Sequence, residues 1–280
     1  MEWERAKNYI LIFLVLLNAA LGAVLFLESQ RYTLSADHER NIFAVLAQNN
    51  INMYISPIRR FPPMRHLHIS GFYYDEYALI AMLFPDPLQV VQIDAEFSQF
   101  EDAYSRLIIS NGFVSYENLI PRTATNNLPP LEITDTFIMQ NFPDFELDTV
   151  WRMPNDEGVR ITYRQKYRDH FIYTNFVELL VHEGLIRMID MQFGQVQGHS
   201  GTPRAIASSD EALLTFVQRV QFMAETEPWF ITRMDIAYFQ EYEISDQPGA
   251  TYSVVPFYRI FVQGDDRAFL INAFTNTIID

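Results

Sequence analysis

Few groupings of residues in this 280-residue sequence could do chemistry, and each meets an obstacle in its own spacing. Gly198-His199-Ser200-Gly201 sets a serine beside a histidine between glycines. It departs from the G-x-S-x-G nucleophile elbow because Thr202 stands where the last glycine belongs. A nucleophile and its base are usually assembled from distant segments, so a glycine-rich loop is expected here instead. His182-Glu183 begins like the zinc motif H-E-x-x-H, but Ile186 occupies the second histidine position. His66 and His68 would project from one face of a strand toward a metal, yet no third ligand is identifiable and Arg65 adjoins them. The carboxylate pairs Asp75-Glu76 and Asp265-Asp266 would suit glycoside hydrolysis only if two carboxyl groups stood roughly 5 to 9 Å apart, and such pairs are common in turns. There is no phosphate-binding P-loop, dinucleotide fingerprint or kinase signature. The absence of cysteine removes thiol nucleophiles, thiolate metal sites and disulfides. The expectation is a non-enzymatic chain with no catalytic residue, no metal and no cofactor.

A polar residue inside an apolar run is more informative. Tyr9 to Leu27 reads YILIFLVLLNAALGAVLFL, about 19 uncharged residues, enough as a helix to cross a hydrocarbon core roughly 30 Å thick. Ala20-Leu21-Gly22 imitates a signal-peptidase site, but the apolar run continues through Leu27 with no polar stretch before the cut, which favours an anchor over a cleaved signal peptide. Arg5 and Lys7 in the leader put the N-terminus in the cytoplasm, with Trp3 and Tyr9 suited to the interface. The expected topology is a cytoplasmic tail (1–8), a transmembrane helix (9–27) and an extracytoplasmic remainder. Asn18 lies mid-membrane, where an amide seeks a partner on its own helix or on a neighbour. Ala19 and Ala23 stand at small-xxx-small spacing with Gly22 beside them, a side along which another helix, including a second copy of this chain, can approach closely.

The two acidic and two basic leader residues cancel, so the external part carries the full net charge of -15. That surface repels nucleic acid and anionic head groups and directs attention to protein partners.

The elements that must position any site follow from periodicity. Ser35 to Asn49 reads as an amphipathic helix, Phe72 to Phe84 as a strand ended by Pro85-Asp86-Pro87, and Phe97 to Ser110 as a short helix. The proline-bounded PRTATNNLPP (121–130) marks a boundary between a first subdomain (28–125) and a second (126–280). Strands are expected at Phe137–Met139, Glu146–Met153, Val159–Gln165, Phe171–Val181 and Leu185–Phe193, the last two joined through a turn at His182-Glu183-Gly184. A helix capped at Ser208 by the S-x-x-E box follows, then strands at Arg233–Tyr242, Val254–Val262 and Ala268–Phe274. This order predicts an α+β fold, with helices packed on antiparallel sheets.

The leader Met1-Glu2-Trp3-Glu4-Arg5-Ala6-Lys7 with Asn18, Tyr32-Thr33-Leu34-Ser35 before a helix, Ile161-Thr162-Tyr163-Arg164-Gln165, Phe171-Ile172-Tyr173-Thr174-Asn175, Pro256-Phe257-Tyr258-Arg259-Ile260 and Asn272-Ala273-Phe274-Thr275-Asn276-Thr277-Ile278 occur in this order. Together they resemble the YycI (WalI) family, accessory proteins of the WalK/WalR cell-wall two-component system of low-GC Gram-positive bacteria. Two departures stand out: Tyr258 replaces a family tryptophan and Asn276 a family glycine. Tyrosine can fill an aromatic core site and asparagine tolerates the left-handed backbone, so both fit the pattern. The resemblance implies an extracytoplasmic α+β module that binds a YycH-like accessory protein and a WalK-like sensor histidine kinase and adjusts kinase activity, partly through membrane-helix contacts. An anchored binding protein or chaperone for cell-wall components would share this topology, and an anchored hydrolase would need two carboxylates, or a serine and a histidine, in one cleft.

Overall fold

A computed structural model of the chain describes residues 2–71, 75–84, 86–94, 98–110, 112–119, 128–154, 157–223, 227–240 and 251–279. Its helices are α1 (Glu2–Arg31), α2 (Ala36–Gln48), α3 (Glu76–Leu83), α4 (Pro130–Asn141) and α5 (Ser209–Gln221). The strands are β1 (Ile51–Met53), β2 (Met64–Ser70), β3 (Val91–Asp94), β4 (Gln99–Glu101), β5 (Ser105–Ser110), β6 (Phe113–Asn118), β7 (Phe145–Arg152), β8 (Val159–Tyr167), β9 (His170–His182), β10 (Leu185–Gln192), β11 (Val196–Arg204), β12 (Trp229–Gln240), β13 (Thr251–Val262), β14 (Ala268–Asn272) and β15 (Ile278–Ile279). The fold is α+β, with an N-terminal apolar helix and a large mixed sheet. The chain divides into two compact units interleaved in sequence: Met1–Met64 with Pro203–Asp235 and Ile260–Asp280, and Arg65–Thr202 with Ile236–Arg259.

In the first unit, Ser35 caps α2, its hydroxyl accepting from the His38 amide at 3.2 Å. Ile42 and Leu46, one turn apart, bury the inner face of α2. The α5 stripe of Leu213, Phe216, Val217 and Val220 is buried as its 3.6-residue spacing requires. Its capping box forms, with the Ser208 amide donating to the Glu211 carboxylate at 2.8 Å. Phe216 meets Phe269 edge-on at 5.0 Å, which ties α5 to β14. The C-terminal turn is set by Asn272, whose Oδ1 accepts from the amides of Phe274 (2.8 Å) and Thr275 (3.2 Å). Asn276 takes φ +55°, the left-handed conformation that asparagine tolerates best among residues with a side chain.

In the second unit, β9 is central: β8 runs antiparallel along one side and β10 along the other, with β12 pairing in parallel near its start. Beyond β10 the sheet continues through β6, β5, β4 and β3, while β7 pairs with β8. Leu107, Val114, Ile161, Val177, Leu179 and Met191 are fully buried under α3 and α4. The β9–β10 turn lies where His182-Glu183-Gly184 placed it, and both Glu183 (φ +51°) and Gly184 (φ +74°) are left-handed, as a two-residue hairpin of this hand demands.

Four local expectations are corrected. Residues 76–83 form α3 rather than a strand, because Asp75 accepts from the amides of Tyr77 and Ala78 and starts a run of strong helix formers. The expected helix from Phe97 to Ser110 begins outside the described residues and is otherwise β4 and β5. Asp102 accepts from the amides of Tyr104 and Ser105 and turns the chain between them. Phe137–Met139 belongs to α4, begun by Pro130 in its first turn, with Thr134 and Ile138 buried at helical spacing. Gly198 to Gly201 is strand β11 rather than a loop. Of the proline-bounded stretch, 121–127 lie outside the described residues, as do 72–74 of the strand expected before Pro85.

Candidate functional site

The strongest electrostatic feature lies inside the second unit. Asp148, the one buried residue of β7, accepts from Arg259 on β13 at 2.8 and 3.0 Å and from Arg164 on β8 at 2.7 Å. Arg259 is 0% and Asp148 6% exposed, so the group is shielded from water. Two guanidiniums against one carboxylate would leave a buried positive charge, and the aromatic faces of β9 answer it. Arg164 lies 3.8 Å from the centroid of Tyr173, and Arg259 lies 5.2 Å from that of Phe171. Arg164 also donates to the Tyr173 carbonyl. Burial pulls the Arg164 pKa below its ordinary value, and Asp148 pulls it back up. Asp148 is committed to two arginines, and the group locks β7, β8, β9 and β13 in register.

One strand position along from Arg164, Gln165 accepts at 2.6 Å from the amide of buried Asn175. The same Asn175 amide donates to the Gly194 carbonyl at 2.9 Å, and its Oδ1 accepts from the Gly194 N–H at 3.2 Å. Gly194 must be glycine, since a Cβ there would overlap the Ser70 carbonyl and the Ile69 side chain. These contacts form one wall of a cleft of about 430 Å³. Its apolar side is a triangle of Phe142, Phe145 and Phe193 packed edge-to-face at 5.5 to 5.8 Å between centroids. Asp144 is the one carboxylate among the described lining residues, so two-carboxylate glycoside chemistry has no second group here. The Ser70 hydroxyl is engaged by the Gln195 main chain at 3.2 and 3.3 Å. The lining thus sets an apolar aromatic side against a few polar edges.

The other sequence candidates are not brought together. His199 and Ser200 are adjacent in β11, where successive side chains face opposite ways, so they cannot act as a pair. His66 contacts Ser253 Oγ at 3.2 Å, and among the described residues no group of three or more acidic or histidine side chains could hold a metal. Asp75-Glu76 serves as a helix cap, with Glu76 accepting from Ser98 at 2.8 Å, and Asp265 accepts from the Arg267 amide at 3.0 Å in a turn. Sequence reasoning passed over Asp148 and the phenylalanine triangle. The signals were an acid in mid-strand, after Leu147 and two residues before Val150, and the Phe142-Pro143-Asp144-Phe145 turn, aromatic on both sides of a chain reversal.

Residues Ala6–Val24 of α1 are long and apolar enough to cross a membrane, and none of that span is buried. Asn18 donates to the Leu14 carbonyl one turn earlier at 2.8 Å, and a Cβ at Gly22 would meet open space.

No family model and no curated protein matches the sequence. Among solved structures the fold is similar to YycH from Bacillus subtilis, with TM-score 0.49, 13% identity and coverage of 86% of this chain and 62% of that one. It is also similar to an uncharacterized protein from Eubacterium rectale ATCC 33656, with TM-score 0.51, 10% identity and coverage of 82% of this chain and 89% of that one. The chain thus spans less than two thirds of the YycH chain and most of the Eubacterium rectale one, and at 10% identity the likeness to the latter is one of fold alone.

Proposed function

We propose that this chain is a membrane-anchored, non-enzymatic regulator whose extracytoplasmic α+β region binds a WalK-like sensor histidine kinase and a YycH-like accessory protein, modulating two-component control of cell-wall metabolism. The observation that carries the reading is where the family-like segments put their polar residues. Of the eight buried polar or charged residues described, Thr162, Asn175, Arg259 and Asn272 belong to those segments. Arg164 adds a fifth contact from the same set, through Asp148. A buried polar frame is costly to assemble and is disrupted when one member changes, so its coincidence with the resembling segments supports a shared fold beneath the resemblance. Tyr258, at 0% exposure, occupies the core as the family's tryptophan would.

What supports the anchor is α1, whose span Ala6–Val24 is long and apolar enough to cross a membrane and has none of its residues buried. With Arg5 and Lys7 on the cytoplasmic side, the strongly acidic remainder faces outward. The test is affinity isolation of the full chain from solubilised membranes. A sensor histidine kinase and a YycH-like protein are expected to co-purify, and recovery of neither from membranes that contain both would overturn the proposal. A second reading, an anchored binding protein or chaperone for wall components, is favoured by the phenylalanine-lined cleft. It predicts saturable binding of wall fragments that Phe193→Ser abolishes.

A further inference from the structure

Within an acidic protein, one region of the second unit is cationic. His199 on β11 stands edge-on to Tyr167 at 5.2 Å and 6.1 Å from buried Tyr238, which in turn is 6.1 Å from His170. The β8–β9 turn brings Arg168 to the same place. Arg168 holds a left-handed φ of +56° without being glycine, and its guanidinium lies 5.6 Å from the Tyr167 ring centroid. Arg168 is the first residue of the two-residue β8–β9 turn, where the hairpin requires the left-handed backbone and so fixes where its side chain starts. Arg65 lies on β2, the strand that pairs with β11, and is exposed, as is Arg168; neither is ion-paired among the described residues. The Nδ1 of His199 is enclosed with no hydrogen-bond partner, an exception among buried polar atoms.

We propose that Arg65, Arg168 and His199 form a binding site for a small tetrahedral oxyanion, a phosphate group free or on a soluble molecule. Guanidinium groups suit the geometry of phosphate oxygens, and the flanking Tyr167 and Tyr238 rings exclude water from one side. A small anion is favoured over a phosphate-covered surface because the net charge of -15 opposes approach to a lipid or polymer polyanion, while the local cations still act within a Debye length of about 8 Å.

The site carries a proton linkage. Burial depresses the His199 pKa first, and the neighbouring Arg168, Arg65 and His170 depress it further, while the polar main chain of His66 opposes them. The remaining charged or titratable groups around it are Tyr167 and exposed Asp169 in the turn, His66 on β2, and Tyr238, whose pKa burial pushes up to about 12. An anion on the two arginines cancels the repulsion and raises the His199 pKa, so binding takes up a proton and tightens as pH falls.

The experiment is calorimetric titration of the full chain in detergent with sulfate, whose charge is constant between pH 5.5 and pH 8. Inorganic phosphate, and chloride at matched ionic strength, are run in parallel. Saturable sulfate binding, several-fold tighter at the lower pH, is expected. Arg65→Gln with Arg168→Asn, which keeps a residue tolerant of the left-handed backbone, should weaken it at least tenfold while leaving the melting temperature without anion unchanged. His199→Gln should retain binding and lose the pH dependence. No binding beyond the chloride control, or binding indifferent to both arginines, would overturn the site. Stronger arginine-dependent binding to phosphatidylglycerol vesicles than to phosphate would overturn the small-ion assignment.

Discussion

Asp148 accepts from two guanidiniums at once, so removing the acid and removing either base are different perturbations. Asp148→Asn leaves Arg164 and Arg259 facing each other in a shielded site, and breaking a buried ion pair from one side costs about 3 to 5 kcal/mol. Urea denaturation should show that loss, and replacing Asp148, Arg164 and Arg259 together with apolar residues of similar volume should recover most of it. Asp190 on β10 tests the opposite sign. Burial raises its pKa, although Ser115 donates to it at 2.7 Å and lowers the value in part. A carboxyl group whose folded pKa exceeds its unfolded one binds a proton more tightly when folded. Its cost to stability is absent below the unfolded pKa, grows as pH rises through the interval between the two, and is complete above the folded pKa. Asp190→Asn, which keeps an acceptor for Ser115, should therefore raise the melting temperature at pH 7 and have little effect below about pH 4.

At the scale of elements, the α5 capping box contributes an amount that can be isolated, because Glu211 reaches back to the Ser208 amide at 2.8 Å from an exposed position. Glu211→Ala should cost about 0.5 to 2 kcal/mol in thermal denaturation without altering the core. This helix was legible in the sequence because three independent signals coincide: the cap, the 3.6-residue apolar stripe and its length. The strands β8 to β10 were legible because β-branched and aromatic runs flank a Glu-Gly turn. What misled was short apolar runs. Ala78 to Leu83 is apolar on every side, so period alone cannot separate a helix from a strand, and the Asp75 cap decided it. Phe100 and Leu107 suit either period across a turn that Asp102 creates through contacts no spacing rule encodes. The cleft and the Arg–Asp–Arg group were not legible as sites, because their members come from segments joined only by sheet pairing. Their residues were in view as strand patterns without their shared purpose.

For the whole molecule, the apolar helix is the part that the described residues leave uncovered. If Asn18 and the Gly22 side meet another membrane helix, as we propose, Asn18→Leu should weaken association several-fold, in keeping with the roughly 0.6 to 2 kcal/mol of an interhelical amide contact. Crosslinking along α1, with reporter transcription from the kinase pathway, measures it. The internal bond from Asn18 to Leu14 sets the lower end of that range, since an amide already satisfied on its own helix has less to gain from a neighbour. Mass measurement of membrane-extracted protein should find Tyr9–Leu27 still attached; a mature terminus near Ala23 would mean a released domain.

The interleaving of the two units has a consequence in time. Synthesis proceeds from the N-terminus, yet the first unit draws on Met1–Met64 and also on Ile260–Asp280, with α5 supplied in between. The inner face of α5 waits uncovered until nearly the whole chain has been made, because Phe269 on β14 arrives last to cover Phe216. A truncation that loses the final strand pair therefore should not yield a protein shortened at one end. It should yield one in which the second unit is complete and the segment that follows α1 has never closed, a ready substrate for the quality-control proteases that patrol nascent chains.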